Sequence, residues 1–272
     1  MSLAPVQIST LAQWSQGSEW RVALAHDRPE HVLIWLTRGQ GRLLLNGTRR
    51  GLTVNNFISL PPRHLFALDA GRNALGMVAV IPYGTQVNLP ETPRQMRLRD
   101  VDAISELSGI FDAANREANA KRALSQDALD AHVSLMAVWL RRQIAEQDHL
   151  PSKQNAAGRL SQRFCARISE LYHRPMSMAD HAEALGVTPT HLTRACKAAT
   201  GKTAADLLTE RILHAARFAL EETNVAIQDI ARHLGFGSAA YFTRFISAQT
   251  GLTPSAIREQ SRRLHSERRG QF

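Results

Sequence analysis

The sequence predicts an α+β chain of two domains: an N-terminal β-rich barrel or sandwich followed by helices, and a C-terminal all-α domain. Three observations predict it. Short β-prone runs broken by Gly, Pro and Asn recur between residues 20 and 81. Two stretches with apolar residues at spacings of three and four follow, over 101–111 and 123–147. Past a polar stretch at 148–158, a pattern of two short helices around a glycine turn occurs twice at a nearly fixed offset.

Composition bounds the function. A chain of 272 residues with 44% apolar and 21% charged residues is that of a globular protein with room for two domains. No run of about 18 apolar residues exists, so no membrane span is expected. The first residues lack a basic segment leading into an apolar one, so no signal peptide is expected and the location reads as cytoplasmic. Cys165 and Cys196 have no metal-type spacing and read as reduced, semi-buried thiols. The net charge of +9 is unevenly placed. From Lys153 onward 17 Lys and Arg face 10 Asp and Glu, a net +7, which leaves +2 for the first 152 residues. Such a surplus suits phosphate binding through counterion release, and a basic solvated surface fits the same numbers.

Taken in order, 20–24 and 31–36 are β-prone runs, and Arg38-Gly39-Gln40-Gly41 punctuates like a hairpin turn. A strand over 42–46 turns again at Asn46-Gly47. Strands at 57–60, 65–68 and 75–81 complete the set, with Pro61-Pro62 between the first two. That density of strands predicts a small barrel or sandwich and not a βαβ sheet. No glycine-rich phosphate loop follows any strand.

The run Gly39-x-Gly41-x-Leu43-x-Leu45-x-Gly47, then Ile58-x-Leu60-Pro61-Pro62 with His64 behind it, resembles the cupin-like sensor barrel found ahead of DNA-binding domains in the AraC/XylS family. Metal-using cupins carry His-x-His and a Glu after the first glycine turn, because a metal needs convergent N and O ligands. Here the matching strand reads Arg42-Leu43-Leu44-Leu45-Asn46. His31 and His64 remain and read as structural residues, so no metal, no cofactor and no catalytic residue is expected. Trp35 and His64 are candidate members of an effector pocket, with core packing as the alternative.

The segment 82–99 carries three prolines and reads as a connector. In the helix that follows, Val101, Ile104, Leu107, Ser108 and Phe111 share a face. In the next, Leu129, Val133, Met136, Leu140 and Ile144 form one stripe. That stripe packs on the barrel of the same chain or forms a self-association face; the family resemblance favours dimerisation. The expected domains are therefore 1–99 for the barrel, 100–150 for the helices, 151–158 for a linker and 159–272 for the duplicated helical unit.

In the first copy of that unit, Asp180, Ala182, Leu185 and Gly186 precede the turn, and Asp229, Ala231, Leu234 and Gly235 repeat them 49 positions on. After the turn the offset is 50: Leu192, Arg194, Thr200, Gly201 and Thr203 return as Phe242, Arg244, Thr250, Gly251 and Thr253. Ser177 and Thr188 are helix caps, Pro189 suits a first turn, and Gly186 and Gly235 suit positions of positive φ. Leu192 and Cys196 should face the core in one copy, Phe242 and Phe245 in the other. The joining helix over 203–222 has roughly 20 residues, so it spans about 30 Å, close to one duplex turn. Its stripe of Leu208, Ile212, Ala216 and Leu220 should lock both units to it.

The block Asp229-Ile230-Ala231-x-x-Leu234-Gly235-Phe236-x-Ser238-x-x-Tyr241-Phe242-x-Arg244, with Gly251-x-Thr253-Pro254 and Arg258, is similar to the AraC/XylS signature. The first copy agrees through Ala182-x-x-Leu185-Gly186-Val187-Thr188-Pro189-x-x-Leu192-x-Arg194-x-x-Lys197. The run Arg244-Phe245-Ile246-Ser247 departs from the family, which usually has a basic residue here, and Ile257 replaces a common aromatic. The resemblance implies two helix-turn-helix units and base contacts from Thr190, Thr193 and Arg194, then from Ala239, Ala240, Thr243 and Arg244. Lys197 joins the first set as a polar contact to DNA. Arginine bridges guanine O6 and N7, and methyls meet thymine methyls. Phosphate or intradomain bonding is the alternative for each arginine, and plain helix surface for the small residues. The tail at 262–269 reads as a solvated end.

The expected function is a ligand-responsive transcription activator, not an enzyme, binding double-stranded DNA as a homodimer, with a small-molecule effector and RNA polymerase as partners. A cupin-type metal enzyme with an accessory DNA-binding domain is one alternative. A ligand-independent DNA-binding module is the other, and a filled barrel core would favour it.

Overall fold

Burial along one strand sets out the layers of the N-terminal half. In β2 (His31–Arg38), Val32, Ile34 and Leu36 point one way and Leu33 and Trp35 the other, and all are at most 1% exposed. A strand buried on both faces needs a layer on each side. The computed structural model describes residues 4–71, 73–120, 122–146 and 155–269 and supplies both layers.

The chain opens with β1 (Gln7–Thr10) and two one-turn helices, α1 (Leu11–Trp14) and α2 (Trp20–Ala23). After β2 come β3 (Gly41–Leu45), β4 (Thr48–Leu52), β5 (Asn56–Leu60), β6 (Phe66–Asp69), β7 (Leu75–Ile81) and β8 (Arg94–Arg97). The helices α3 (Val101–Ala120) and α4 (Ser125–Glu146) complete this half. One antiparallel sheet has the order β1-β7-β2-β5-β8, the other β4-β3-β6. Val32, Ile34, Leu36, Ile58 and Val80 from the first sheet meet Leu43, Leu45, Phe66 and Leu68 from the second in one buried cluster. Leu33, Trp35 and Phe57, on the opposite face, meet Phe111, Val133, Met136 and Trp139 of α3 and α4. The arrangement is sheet on sheet on helices.

The strands thus divide between two sheets and do not close into the cupin-like barrel expected for 1–99, because β2 and β3 pair with different partners. Aliphatic side chains take up the space between those sheets. The stripe on α4 that offered a self-association face is spent inside the chain: Leu129, Val133, Met136 and Leu140 are at most 6% exposed. Several local expectations change. The run at 20–24 is a helical turn followed by extended backbone, not a strand. The glycine-rich turn at 38–41 is a corner and not a hairpin, because β2 and β3 pair in different sheets. The supposed connector 82–99 contains β8, which adds an edge to the larger sheet beside β5. Asn46-Gly47 does close a two-residue hairpin, with φ of 51° and 69° as a type I′ turn requires.

The second half is helical: α5 (Ala156–Leu171), α6 (Met178–Ala184), α7 (Pro189–Thr200), α8 (Ala204–Glu222), α9 (Ile227–His233), α10 (Ala239–Thr250) and α11 (Pro254–Arg269). Asn155 caps α5 by accepting from the Gly158 N–H, so that helix starts inside the expected linker; residues 151–154 of that linker lie outside the described residues. The stretch 262–269, expected as a solvated end, continues α11.

The halves share a core. Ala25, Leu44, Leu65 and Ala67 of the strand half pack with Leu160, Phe164, Ile168 and Leu207 of the helical half. A β-carbon on Gly47 would lie 2.5 Å from the Gln162 nitrogen, so only glycine lets this hairpin touch α5. Further along, Asp27 binds Arg211 at 2.6 Å, the Ala25 N–H donates to Glu210 at 3.0 Å, and Arg21 pairs with Glu221 and Glu222. The His26 and His214 rings stack at 4.0 Å across the same seam.

These histidines are held neutral. Burial, then the charge of Arg211, pushes His214 down to about 3. Burial, then His214, lowers His26. His31, bonded through Nε2 to Ser59 Oγ at 2.8 Å, is pushed down to about 4 by burial and then by His64. The unfolded chain takes up protons near pH 6.5 that the fold refuses. Stability is therefore constant above that pH and falls below it, until the folded-state values are reached. By pH 5 the loss from His31 alone is about 2 kcal/mol. Urea unfolding followed by tryptophan fluorescence should give a lower unfolding free energy at pH 5 than at pH 7.5, with part of the difference removed by His31→Gln. A free energy independent of pH would show that the histidines are not held neutral.

Candidate nucleic-acid interface

Each of the two helix pairs, α6 with α7 and α9 with α10, is built from the same hydrogen bonds. Thr188 Oγ1 accepts from the His191 N–H at 3.2 Å, and Ser238 Oγ accepts from the Tyr241 N–H at 3.1 Å. Each caps the second helix of its pair and satisfies a donor that the helix itself leaves open. At the other end, the Thr200 and Thr250 hydroxyls both donate at 2.8 Å to the carbonyl four residues back, of Cys196 and Ile246. Gly201 and Gly251 then close α7 and α10 in the left-handed region. The pairs differ at their start. Ser177 and Asp180 form a capping box on α6, whose bonds hold the Asp180 carboxyl below the usual carboxylate range, whereas Ala226 begins α9 without a side-chain cap.

The cores of the pairs decide which side chains are left outward. Leu192, Ala195 and Cys196 bury one face of α7, and Phe242 and Ile246 bury that of α10. On α7 this leaves Thr190, Arg194 and Lys197 exposed and Thr193 half-buried. On α10 it leaves Ala239, Ala240 and Arg244 exposed and Thr243 half-buried. Arg194 pairs with no carboxylate among the described residues. The guanidinium of Arg244 lies 5.9 Å from the Tyr241 ring centre, so that ring steadies its stem. All eight candidate residues therefore stand on the two outward helix faces.

One expected core position was wrong. Ile246, not Phe245, occupies the place that Cys196 holds in the first pair; Phe245 is half-buried and packs against Phe236 at 5.2 Å. The offset of 50 makes Ser247 the partner of Lys197, so the difference between the units is lysine against serine. The stripe on α8 also changes. Leu207, Arg211, Leu213 and His214 are buried there with Ala216 and Leu220, while Leu208 and Ile212 are half-covered. Arg211 and His214, four and seven positions after Leu207, were the missed signal: charged and titratable residues in the register of an apolar face.

Trp35 and His64 are not brought together. Trp35 is packed under α3 and α4, where its indole N–H meets no acceptor. His64 borders a cleft with His31, Pro61 and Tyr83.

Residues 181–260 match the helix-turn-helix domain family model. The match covers 80 of the 272 residues and spans both helix pairs from His181 onward. The chain is 30% identical over 95 residues to the bifunctional transcriptional activator and DNA repair enzyme AdaA of Bacillus subtilis, covering 35% of this chain and 45% of that one. It is 23% identical to the transcriptional activator RhaR of Cronobacter sakazakii, over 86% of each chain. Among solved structures, apo ToxT K231A from Vibrio cholerae aligns over 92% of this chain and 94% of that one, at 15% identity and a TM-score of 0.41. The chain spans less than half the length of AdaA and 29% of the regulator YfiF, also of Bacillus subtilis.

The turns of the two units should respond differently to one methyl group. Both Gly186 and Gly235 have positive φ, 72° and 79°. A β-carbon on Gly186 meets nothing within 4 Å, but one on Gly235 would lie 2.7 Å from the His173 carbonyl oxygen. Gly186→Ala should cost about 1–2 kcal/mol from the backbone conformation alone. Gly235→Ala should cost a further 1–3 kcal/mol or so, since backbone cannot swing aside. Thermal melts of the two variants check this ranking; equal losses would mean that the turn against His173 yields freely.

Proposed function

We propose that the chain is a sequence-specific DNA-binding transcription regulator of the AraC/XylS type, with two reading units on one helix. The observation that carries this reading is the repeated geometry: the same caps, the same glycine exits and the same outward positions on α7 and α10. At a rise of 1.5 Å per residue, the 19 residues of α8 span roughly 28 Å, near the 34 Å of one duplex turn. One chain then presents α7 and α10 to successive major grooves. Thr190, Thr193, Arg194 and Lys197 read or hold DNA in the first, and Ala239, Ala240, Thr243 and Arg244 in the second. Arg194 and Arg244 are the base readers, bidentate to guanine, and the methyls of Thr and Ala meet thymine.

Residues 1–99 and 100–150 form the controlling half in this reading, 151–158 the linker and 159–272 the DNA-binding half. RhaR is named an activator, and the same role is proposed here, with RNA polymerase and a second copy of the chain as partners. Self-association through α3 and α4 uses the faces turned away from the sheet, because the α4 stripe is occupied. A second reading, a DNA-binding module without a small-molecule input, is favoured by the packed space between the sheets, which argues against an effector held there.

Fluorescence anisotropy on selected and scrambled duplexes tests the proposal. Arg194→Ala should weaken binding to the selected site by about 1–3 kcal/mol and leave scrambled DNA nearly unchanged. Equal losses on both duplexes would reduce Arg194 to a phosphate contact, and no preference for any selected duplex would remove the sequence-specific reading.

A further inference from the structure

A cavity of about 630 Å³ lies where residues 27–30 of the strand half face α8 and α9. Much of its wall is apolar: Ala215 and Phe218 on α8, Val225 on the approach to α9, Ile230 on α9 and Leu234 just past its end. Phe218 and Val225, at its mouth, are 46% and 48% exposed, the rim of a pocket with none of the described residues over it. Its size and its place between two domains are those of small-molecule sites.

The charges around it settle the class of occupant. Asp27 is bound to Arg211 at 2.6 Å, Arg28 to Glu30 at 3.0 Å, and Asp229 to Arg232 at 3.1 Å. One face of the Tyr172 ring is covered by the Arg211 guanidinium, 3.6 Å away. Every carboxylate and guanidinium on the wall is thus already matched. A carboxylate or an amine entering it would give up water without gaining a counter-charge, unless it broke one of these pairs.

We infer that this cavity binds an uncharged, largely apolar small molecule, which bridges residues 27–30 to the second helix-turn-helix unit. The bridging position gives such a molecule a direct hold on α9, and through it on the placing of α10. That regulatory consequence rests on the DNA-binding reading; occupancy of the cavity does not.

The test uses the full chain and N-phenyl-1-naphthylamine, a neutral fluorophore that brightens in apolar surroundings. Saturable binding at one site is expected, displaced by decanol and not by decanoate at pH 7.5. Ala215→Trp, which fills the cavity, should weaken binding at least tenfold, and Phe218→Ser, at an exposed position, about threefold. Circular dichroism melts establish that each variant is folded. The inference is overturned if folded Ala215→Trp and Phe218→Ser bind the probe as the parent does, if decanoate displaces it as well as decanol, or if the parent shows no saturable binding. It is also overturned if light scattering finds a dimer that Phe218→Ser dissolves while probe binding is unchanged, for then a second copy covers the rim. A chain that binds the probe and no DNA sinks only the regulator reading; a chain that binds DNA and no probe sinks only this one.

Discussion

A buried guanidinium holds the molecule together. Arg211 is 6% exposed, on the helix that joins the two helix pairs, and it reaches Asp27 in one direction and the Tyr172 ring in the other. Removing a charge of this kind from water is costly, and removing one partner of such a pair typically destabilises by about 3–5 kcal/mol. The strand half, α5 and α8 therefore keep their mutual placement as one body around this side chain. Because α8 also carries Ala216 and Leu220 into the core of the second unit, whatever moves the strand half moves the frame on which both units are mounted.

The two units share a skeleton and differ in chemistry. Their caps, glycine exits and threonine staples coincide, so their backbones present equivalent faces. Lys197 in one place and Ser247 in the other, Thr190 against Ala240 at the start of the second helix, and a missing cap at Ala226 make the second face less polar. Equal geometry with unequal side chains is what a bipartite, non-palindromic contact would require of a single chain.

The repeat was legible in the sequence because its carriers are local. A cap needs Ser or Thr at one position, a left-handed exit needs Gly, and both keep their spacing whatever surrounds them. The long stripes on α3 and α4 were legible for the same reason. Three features were not. The run around Trp20 has the composition of a strand, yet is too short to show a period, and α2 forms because it is clamped against α8. The turn at Gly39 and Gly41 has the same residues whether the chain doubles back or passes to another sheet, and only the distant partners β6 and β7 decide. Four-residue edge strands such as β1 and β8 carry too few alternations to stand out. The outward positions on α7 and α10 follow from helical register, whereas Phe245 was read as core where Ile246 is. The seam between the halves was invisible, because its contacts join residues about 185 positions apart.

The core that runs through both halves bears on how such a chain acquires new inputs. Leu44, Leu65 and Ala67 cover Phe164 and Ile168, and only glycine at position 47 lets Gln162 lie so close behind the hairpin. The strand half is therefore not an interchangeable cartridge. Recombination that grafts a foreign one onto this helical half must also carry a matching hairpin, the Asp27 loop and an α5 shaped to receive them. Lineages with this seam should inherit the two halves as a unit and diversify within each, instead of by exchanging them.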